Sequence, residues 1–174
     1  MSIKYRVIYE KRGPAAFIAH RAAGTLIERA LRRADVPIRF SEGFHPHARI
    51  SFGPPLPVGV AGTAEAFDLL LDDGMSPSRL IETVNPCLPE GMRLLRAFPL
   101  PPSHPSAQEA AGTARYTIAK TGAFSLTALA ALGWQMKETP DSVIMNIPLR
   151  NFKHRTLREI TGTASVEREI VWEG

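Results

Sequence analysis

The sequence predicts an α+β protein made of two ferredoxin-like halves in tandem, each running strand–helix–strand–strand–helix–strand. Three observations predict it. Short segments with period-two alternation are interleaved with segments whose apolar residues recur every three or four positions. A proline-, serine- and alanine-rich stretch without periodicity spans residues 99–113 and reads as a linker. After it, the order of elements starts again. The expected division is therefore residues 1–98, a linker over 99–113, and a smaller half over 114–174. The first half carries an insertion, roughly residues 36–62. No residue-level repeat accompanies the repeated order.

Taken in order, residues 4–10 alternate polar and apolar side chains and read as a strand, which Gly13-Pro14 breaks. Residues 20–34 follow as a helix. Ala23, Leu26, Ile27, Ala30, Leu31 and Ala34 form its apolar face, and Arg21, Thr25, Glu28 and Arg32 form the opposite stripe, with Arg29 and Arg33 beside it. Residues 36–40 and 49–52 read as short strands around a turn. Residues 64–72 read as a strand, with helix the competing reading. Ser76-Pro77 starts a helix that stops near Pro86. Residues 92–98 form a further strand. In the second half, residues 115–120 read as a strand, and Ser125 caps a helix over 126–132 that Gly133 ends. Residues 134–138 and 142–149 make a hairpin around Pro140-Asp141, residues 154–160 a helix, and residues 165–172 the last strand.

The chain has 174 residues and a formal net charge of +4. Residues 1–53 alone carry ten basic side chains against four acidic ones, so the remainder is slightly acidic. A localised arginine excess points to an anionic partner, nucleic acid before membrane; a solvated surface without a partner is the competing reading. Cys87 is the only cysteine, which excludes an internal disulfide or a cysteine metal cluster and suits a reducing cytoplasm. The opening residues lack the apolar run of a signal peptide, and no segment offers the roughly 20 apolar residues of a membrane helix. The expected location is cytoplasmic, with no membrane partner.

Two constellations stand out. The first is the arginine set Arg21, Arg29, Arg32 and Arg33 on the helix, with Arg39 and Arg49 nearby in sequence. A guanidinium is a planar, permanently charged fork that matches phosphate oxygens, so this set is the expected nucleic-acid-binding surface. The second is the recognition turn Ser41, Glu42, Gly43, Phe44, His45 and His47. Gly43 permits conformations other residues avoid, and Phe44 among polar neighbours can stack a base. His45 and His47 share a face if extended. With Glu42 they suggest a metal, but zinc needs a third or fourth ligand. His20, His104, His154 and Cys87 lack ligand-like spacing, so no metal and no cofactor are expected. Glu65 and Asp68 are three apart and, on a strand, point to opposite faces, which argues against joint acid–base work. There is no phosphate-binding glycine loop and no nucleophile elbow, so no catalytic residue is assigned.

Leu26-Ile-Glu-Arg-Ala-Leu-Arg-Arg-Ala34, then Pro37, then Ser41-Glu-Gly-Phe-His-Pro-His-Ala-Arg-Ile-Ser-Phe-Gly53 resembles the radical SAM-linked protein family, a domain found beside or fused behind radical SAM proteins. The resemblance runs from about residue 14 to 72 and thins after the linker. It implies association with a radical SAM enzyme acting on RNA or a translation component. A radical SAM enzyme holds its iron–sulfur cluster on three cysteines, and this chain has one, so the resemblance implies the companion rather than the catalyst. Where family members show a Ser-His-Leu-Asp-like run, this chain has Ala19-His-Arg-Ala22, without the serine or the acid. The paired halves also resemble the double ferredoxin-like body of tRNA pseudouridine synthases.

The expected function is a non-catalytic RNA-binding or substrate-presenting companion of a radical SAM enzyme. Two alternatives stand beside it. One is an RNA-modifying or RNA-cleaving enzyme using Glu42, His45 and His47 as acid and base. The other is a protein-interaction adaptor without RNA.

Overall fold

In β1, Ile3–Lys11, alternation sends Tyr5, Val7 and Tyr9 to one face and Lys4, Arg6 and Ile8 to the other. The computed structural model describes residues 2–121, 124–149, 161 and 164–172. A 3-10 turn, Gly13–Phe17, leads into α1, His20–Arg33. Ala23, Ile27, Ala30 and Leu31 of α1 are buried against Tyr5, Val7 and Tyr9. The helix closes on Asp35, at φ 50°, with Asp35 N donating to the Arg32 carbonyl at 3.2 Å and Val36 N to that of Leu31 at 3.1 Å. This is the double bond pattern of a left-handed cap, in a position that tolerates aspartate though it favours glycine.

Then follow β2, Ile50–Phe52, and β3, Ala61–Leu71. α2, Pro77–Val84, begins where the Ser76 hydroxyl accepts from Arg79 N. β4, Met92–Leu100, returns beside β1. Asn85 ties the end of α2 to β4, accepting from Leu94 N at 2.8 Å and donating to the Leu94 carbonyl at 3.1 Å. The proline-rich stretch expected as a linker contains a short helix, α3, Ala107–Ala110, with a Ser106–Glu109 capping box. β5, Ala111–Ala119, α4, Leu126–Ala130, β6, Gln135–Glu138, β7, Ser142–Pro148, and β8, Val166–Trp172, complete the described elements. The helix expected over residues 154–160 lies outside the described residues.

The result is a mixed α+β fold on one eight-stranded, mostly antiparallel sheet. Its order is β4-β1-β3-β8-β5-β7-β6, with β2 also on β3. Around β1 the local order is β4-β1-β3-β2, and around β5 it is β8-β5-β7-β6. β3 and β8 run parallel and join the two groups. β2 and β8 share one edge of β3, pairing with residues 67–69 and 61–64 respectively.

One face of the sheet carries two apolar cores. The first gathers Val7, Ile27, Leu31, Phe67, Leu69, Leu80 and Leu94 under α1 and α2; the second gathers Leu56, Tyr116, Ile118, Leu129, Met145 and Val166. On the other face α3 seats Ala107 on Ile8 and Ala66. The expected strand over 36–40 is only two isolated bridges, Ile38 to Leu71 and Phe40 to Ala48. Pro37 has no N–H for a ladder, which keeps that segment from pairing continuously.

Candidate functional site

The segment 39–49 is a tongue closed at its base by an antiparallel bridge between Phe40 and Ala48 and the two backbone hydrogen bonds that make it. Arg49 N donates to the Arg39 carbonyl at 2.8 Å, and Ser41 N donates to the His47 carbonyl at 2.8 Å. The Ser41 hydroxyl accepts from His47 N at 2.9 Å and tightens the last of these. Arg39 N donates to the Leu70 carbonyl, and Leu70 N to that of Arg49, so the base is fastened to the end of β3. Gly43, at φ 115°, lets the tip turn over. Glu42, Phe44, His45 and Pro46 are exposed there, and the Phe44 ring is wholly in solvent.

On the sheet face opposite α1, the tongue and β2 border a pocket of about 460 Å³. Ser41, His47 and Arg49 line it from the tongue, Ser51 from β2, Lys4 and Asp68 from the sheet, and Ser106 from the cap of α3. Asp68 is buried and saturated. Arg6 Nε donates to its Oδ1 at 2.8 Å, Arg6 Nη2 to its Oδ2 at 3.1 Å, and Ala107 N to its Oδ2 at 2.9 Å. Lys4 Nζ stands 3.4 Å from Oδ2 and donates to the His104 carbonyl at 2.7 Å. The exposed Glu109 carboxylate accepts from the Ser106 hydroxyl and N–H, and these bonds pull its pKa down.

The six expected phosphate-binding arginines are all exposed, but they divide between surfaces. Arg32 pairs with Glu28 one turn back at 2.7 Å, and its guanidinium lies 4.5 Å from the Phe40 ring centre. That stack joins the charged face of α1 to the tongue. Arg33 leans the other way, toward the Cys87 carbonyl at 3.5 Å. Arg39 is 3.8 Å from Asp72. Arg21, Arg29 and Arg49 have no side-chain hydrogen bond or ion pair among the described residues. Arg49 lines the pocket, and the α1 arginines stand on the helix side of the sheet.

Of the trio Glu42, His45 and His47, only His47 lines the pocket. Lys4 and Ser106 belong to the site without any motif to mark them, and Asp68, weighed in the sequence only as a partner for Glu65, belongs to it as well. Period-two alternation places Lys4 and Asp68 on one face of their strands, but nothing local predicts that a proline-rich stretch folds back over them. Among the described residues, no group of three or more His, Cys, Asp or Glu could hold a metal ion. Among them, too, no helix is long and apolar enough to cross a membrane.

A second, buried ionic group lies where β3 meets β8. Arg168 Nε donates to Glu65 Oε1 at 2.9 Å, Nη2 to Oε2 and to the Pro54 carbonyl, and Nη1 to the Pro55 carbonyl. Burial works against the Arg168 charge, but the Glu65 carboxylate outweighs it and raises the guanidinium pKa. Lys11 Nζ donates to the Ala16 and Ile18 carbonyls and so pins the turn before α1. Burial lowers its pKa. His20, at the start of α1, is also lowered, first by burial and then by the Arg168 and Lys11 charges. The hydroxyls of Tyr9 and Tyr116 are raised, chiefly by burial.

Residues 4–159 match the family of uncharacterized proteins conserved in bacteria, DUF2344. The chain belongs to that family. No curated protein matches it.

Proposed function

We propose that this protein is a non-catalytic RNA-binding module that presents its RNA to a radical SAM enzyme in the cytoplasm. One observation carries the reading. The tongue sits between the arginine face of α1 and the pocket, joined to the first by the Arg32–Phe40 stack and to the second by Ser41, His47 and Arg49. Uncommitted guanidinium groups and an exposed aromatic ring are the two things a single strand needs, phosphate contacts and a stacking surface. The repeated strand order supports reading each half as ferredoxin-like. The link to a radical SAM enzyme rests on the likeness of residues 26–53 to the radical SAM-linked proteins. Of Glu42, His45 and His47 only His47 lines the pocket, which favours binding over acid–base catalysis by the three together.

The test is retention of single-stranded RNA by the full chain across a salt series. Affinity should fall steeply with salt, and Arg29→Ala with Arg33→Ala should flatten the log–log slope by about 0.7 for each phosphate no longer neutralised. The partner is tested separately, by turnover of the co-purified radical SAM enzyme with and without this chain. Salt-insensitive or absent RNA retention overturns the RNA role; unchanged turnover overturns presentation.

A further inference from the structure

The pocket beside the tongue is rich in hydrogen-bond donors that none of the described residues uses. An ammonium carries three donors; Lys4 directs one at the His104 carbonyl and one toward Asp68, which leaves one. Among the described residues, none takes a donor of the Arg49 fork. The Ser41 hydroxyl accepts from His47 N, so its own proton is still available. The nearby carboxylates do not compete for these donors. Asp68 is taken by Arg6, Lys4 and Ala107 N, and Glu109 is folded back on Ser106. Lys4, Arg6 and Arg49 against Asp68 and Glu109 leave a net positive charge. Surplus donors around a positive site are what a phosphate recognises. At about 460 Å³ the pocket holds far more than a phosphate, and Ala48, Ile50, Leu69 and Leu70 add apolar lining. Its volume is that of a small-molecule site.

We propose that this pocket holds one phosphorylated nucleotide, with its phosphate on Arg49 and Lys4 and its base against the apolar lining. The inference rests on the anion-binding reading above and narrows it to a single nucleotide. A free mononucleotide and the phosphorylated end of an RNA share this chemistry.

The test titrates the full chain, by calorimetry, with the four nucleoside monophosphates, with inorganic phosphate, and with a short single-stranded RNA with and without a terminal phosphate. The expected result is one saturable site for at least one monophosphate, weakened tenfold or more by Arg49→Ala with the melting temperature unchanged. Ser51→Trp, which fills the pocket, should abolish it. If RNA competes only when phosphorylated, the occupant is an RNA end. If mononucleotides bind and RNA does not compete, the occupant is a free nucleotide. If no monophosphate saturates, or Arg49→Ala and Ser51→Trp bind as the parent does, the proposal is overturned. Arg29→Ala with Arg33→Ala keeps the two readings apart, since it should weaken RNA and leave mononucleotide binding intact.

Discussion

Arg168 of β8 and Glu65 of β3, 103 residues apart, form a bidentate pair at the parallel seam that joins the two cores. Arg168 follows Val166 along the core-facing side of β8, and Glu65 precedes Phe67 along that of β3. A guanidinium and a carboxylate thus stand where the apolar surfaces meet, and the carbonyls of Pro54 and Pro55 accept from Nη2 and Nη1. The pair connects strands that share few backbone bonds, since the β3–β8 register covers only Ala61 to Ala64.

Breaking that pair should be severe, because the remaining charge stays buried. Arg168→Met is expected to destabilise the fold by about 3–5 kcal/mol. Pairing it with Glu65→Leu should recover part of the loss, since no charge is then stranded. Chemical denaturation of both single variants and the double one measures the coupling. A loss under about 1 kcal/mol in Arg168→Met would show that the seam does not depend on it.

His20 predicts a pH dependence. Its folded pKa lies below the ordinary 6.5, through burial and then the Arg168 and Lys11 charges. As pH falls through 6.5 the unfolded chain takes up a proton that the folded chain refuses, so stability is present above 6.5 and is lost toward the lower folded pKa. The melting temperature should therefore drop between pH 7.5 and 5.5, and His20→Gln should flatten the drop. His20 packs edge-on against Phe52, so the variant will also be somewhat less stable throughout; the slope is the readout. Parallel curves for the two proteins would rule the effect out.

Two glycines with positive φ should respond differently to alanine. Gly91, at φ +82°, faces the Arg12 carbonyl, which a Cβ would meet at 2.3 Å. That backbone also holds Arg12 through its N–H bond to the Gly91 carbonyl at 2.7 Å. Gly43, at φ +115°, has open space where its Cβ would go. Gly43→Ala should show backbone strain alone, on the order of 1–3 kcal/mol at most, in a tongue that can relax. Gly91→Ala adds a clash with backbone and should lower the melting temperature more. Equal shifts would refute the distinction.

The fold was legible where periodicity is strong. The faces of β1, α1 and β3 follow from alternation and from three- and four-residue spacing. The opposite pointing of Glu65 and Asp68 follows from their odd separation on one strand, and each has its own arginine on its own side. The site was legible only in part. Ser41, His47 and Arg49 stand out by composition, but Lys4 reaches the pocket through strand pairings between residues far apart in sequence, and Ser106 through α3 seated on those strands. The order β4-β1-β3-β8 sets those pairings, and no local pattern encodes it. The segment over 99–113 reads as a linker because proline suppresses periodicity, yet Ser106 and Glu109 carry the spacing of a capping box.

Phe44 separates folding from binding most cleanly. Its ring is fully exposed, so it buries nothing on folding, and Phe44→Ala should leave the stability within the small range of surface substitutions, about ±0.5 kcal/mol. If the tongue stacks a base of a single-stranded RNA, the same variant should lose about 1–3 kcal/mol of RNA affinity, a drop of several-fold to over a hundredfold. Phe40 is the internal control. Its ring packs against the first core and carries the Arg32 guanidinium, so Phe40→Ala should lower stability and binding together. Thermal unfolding and an RNA titration on both variants decide it. RNA affinity unchanged in Phe44→Ala would remove the tongue tip from the binding surface and leave the α1 arginines as its only support.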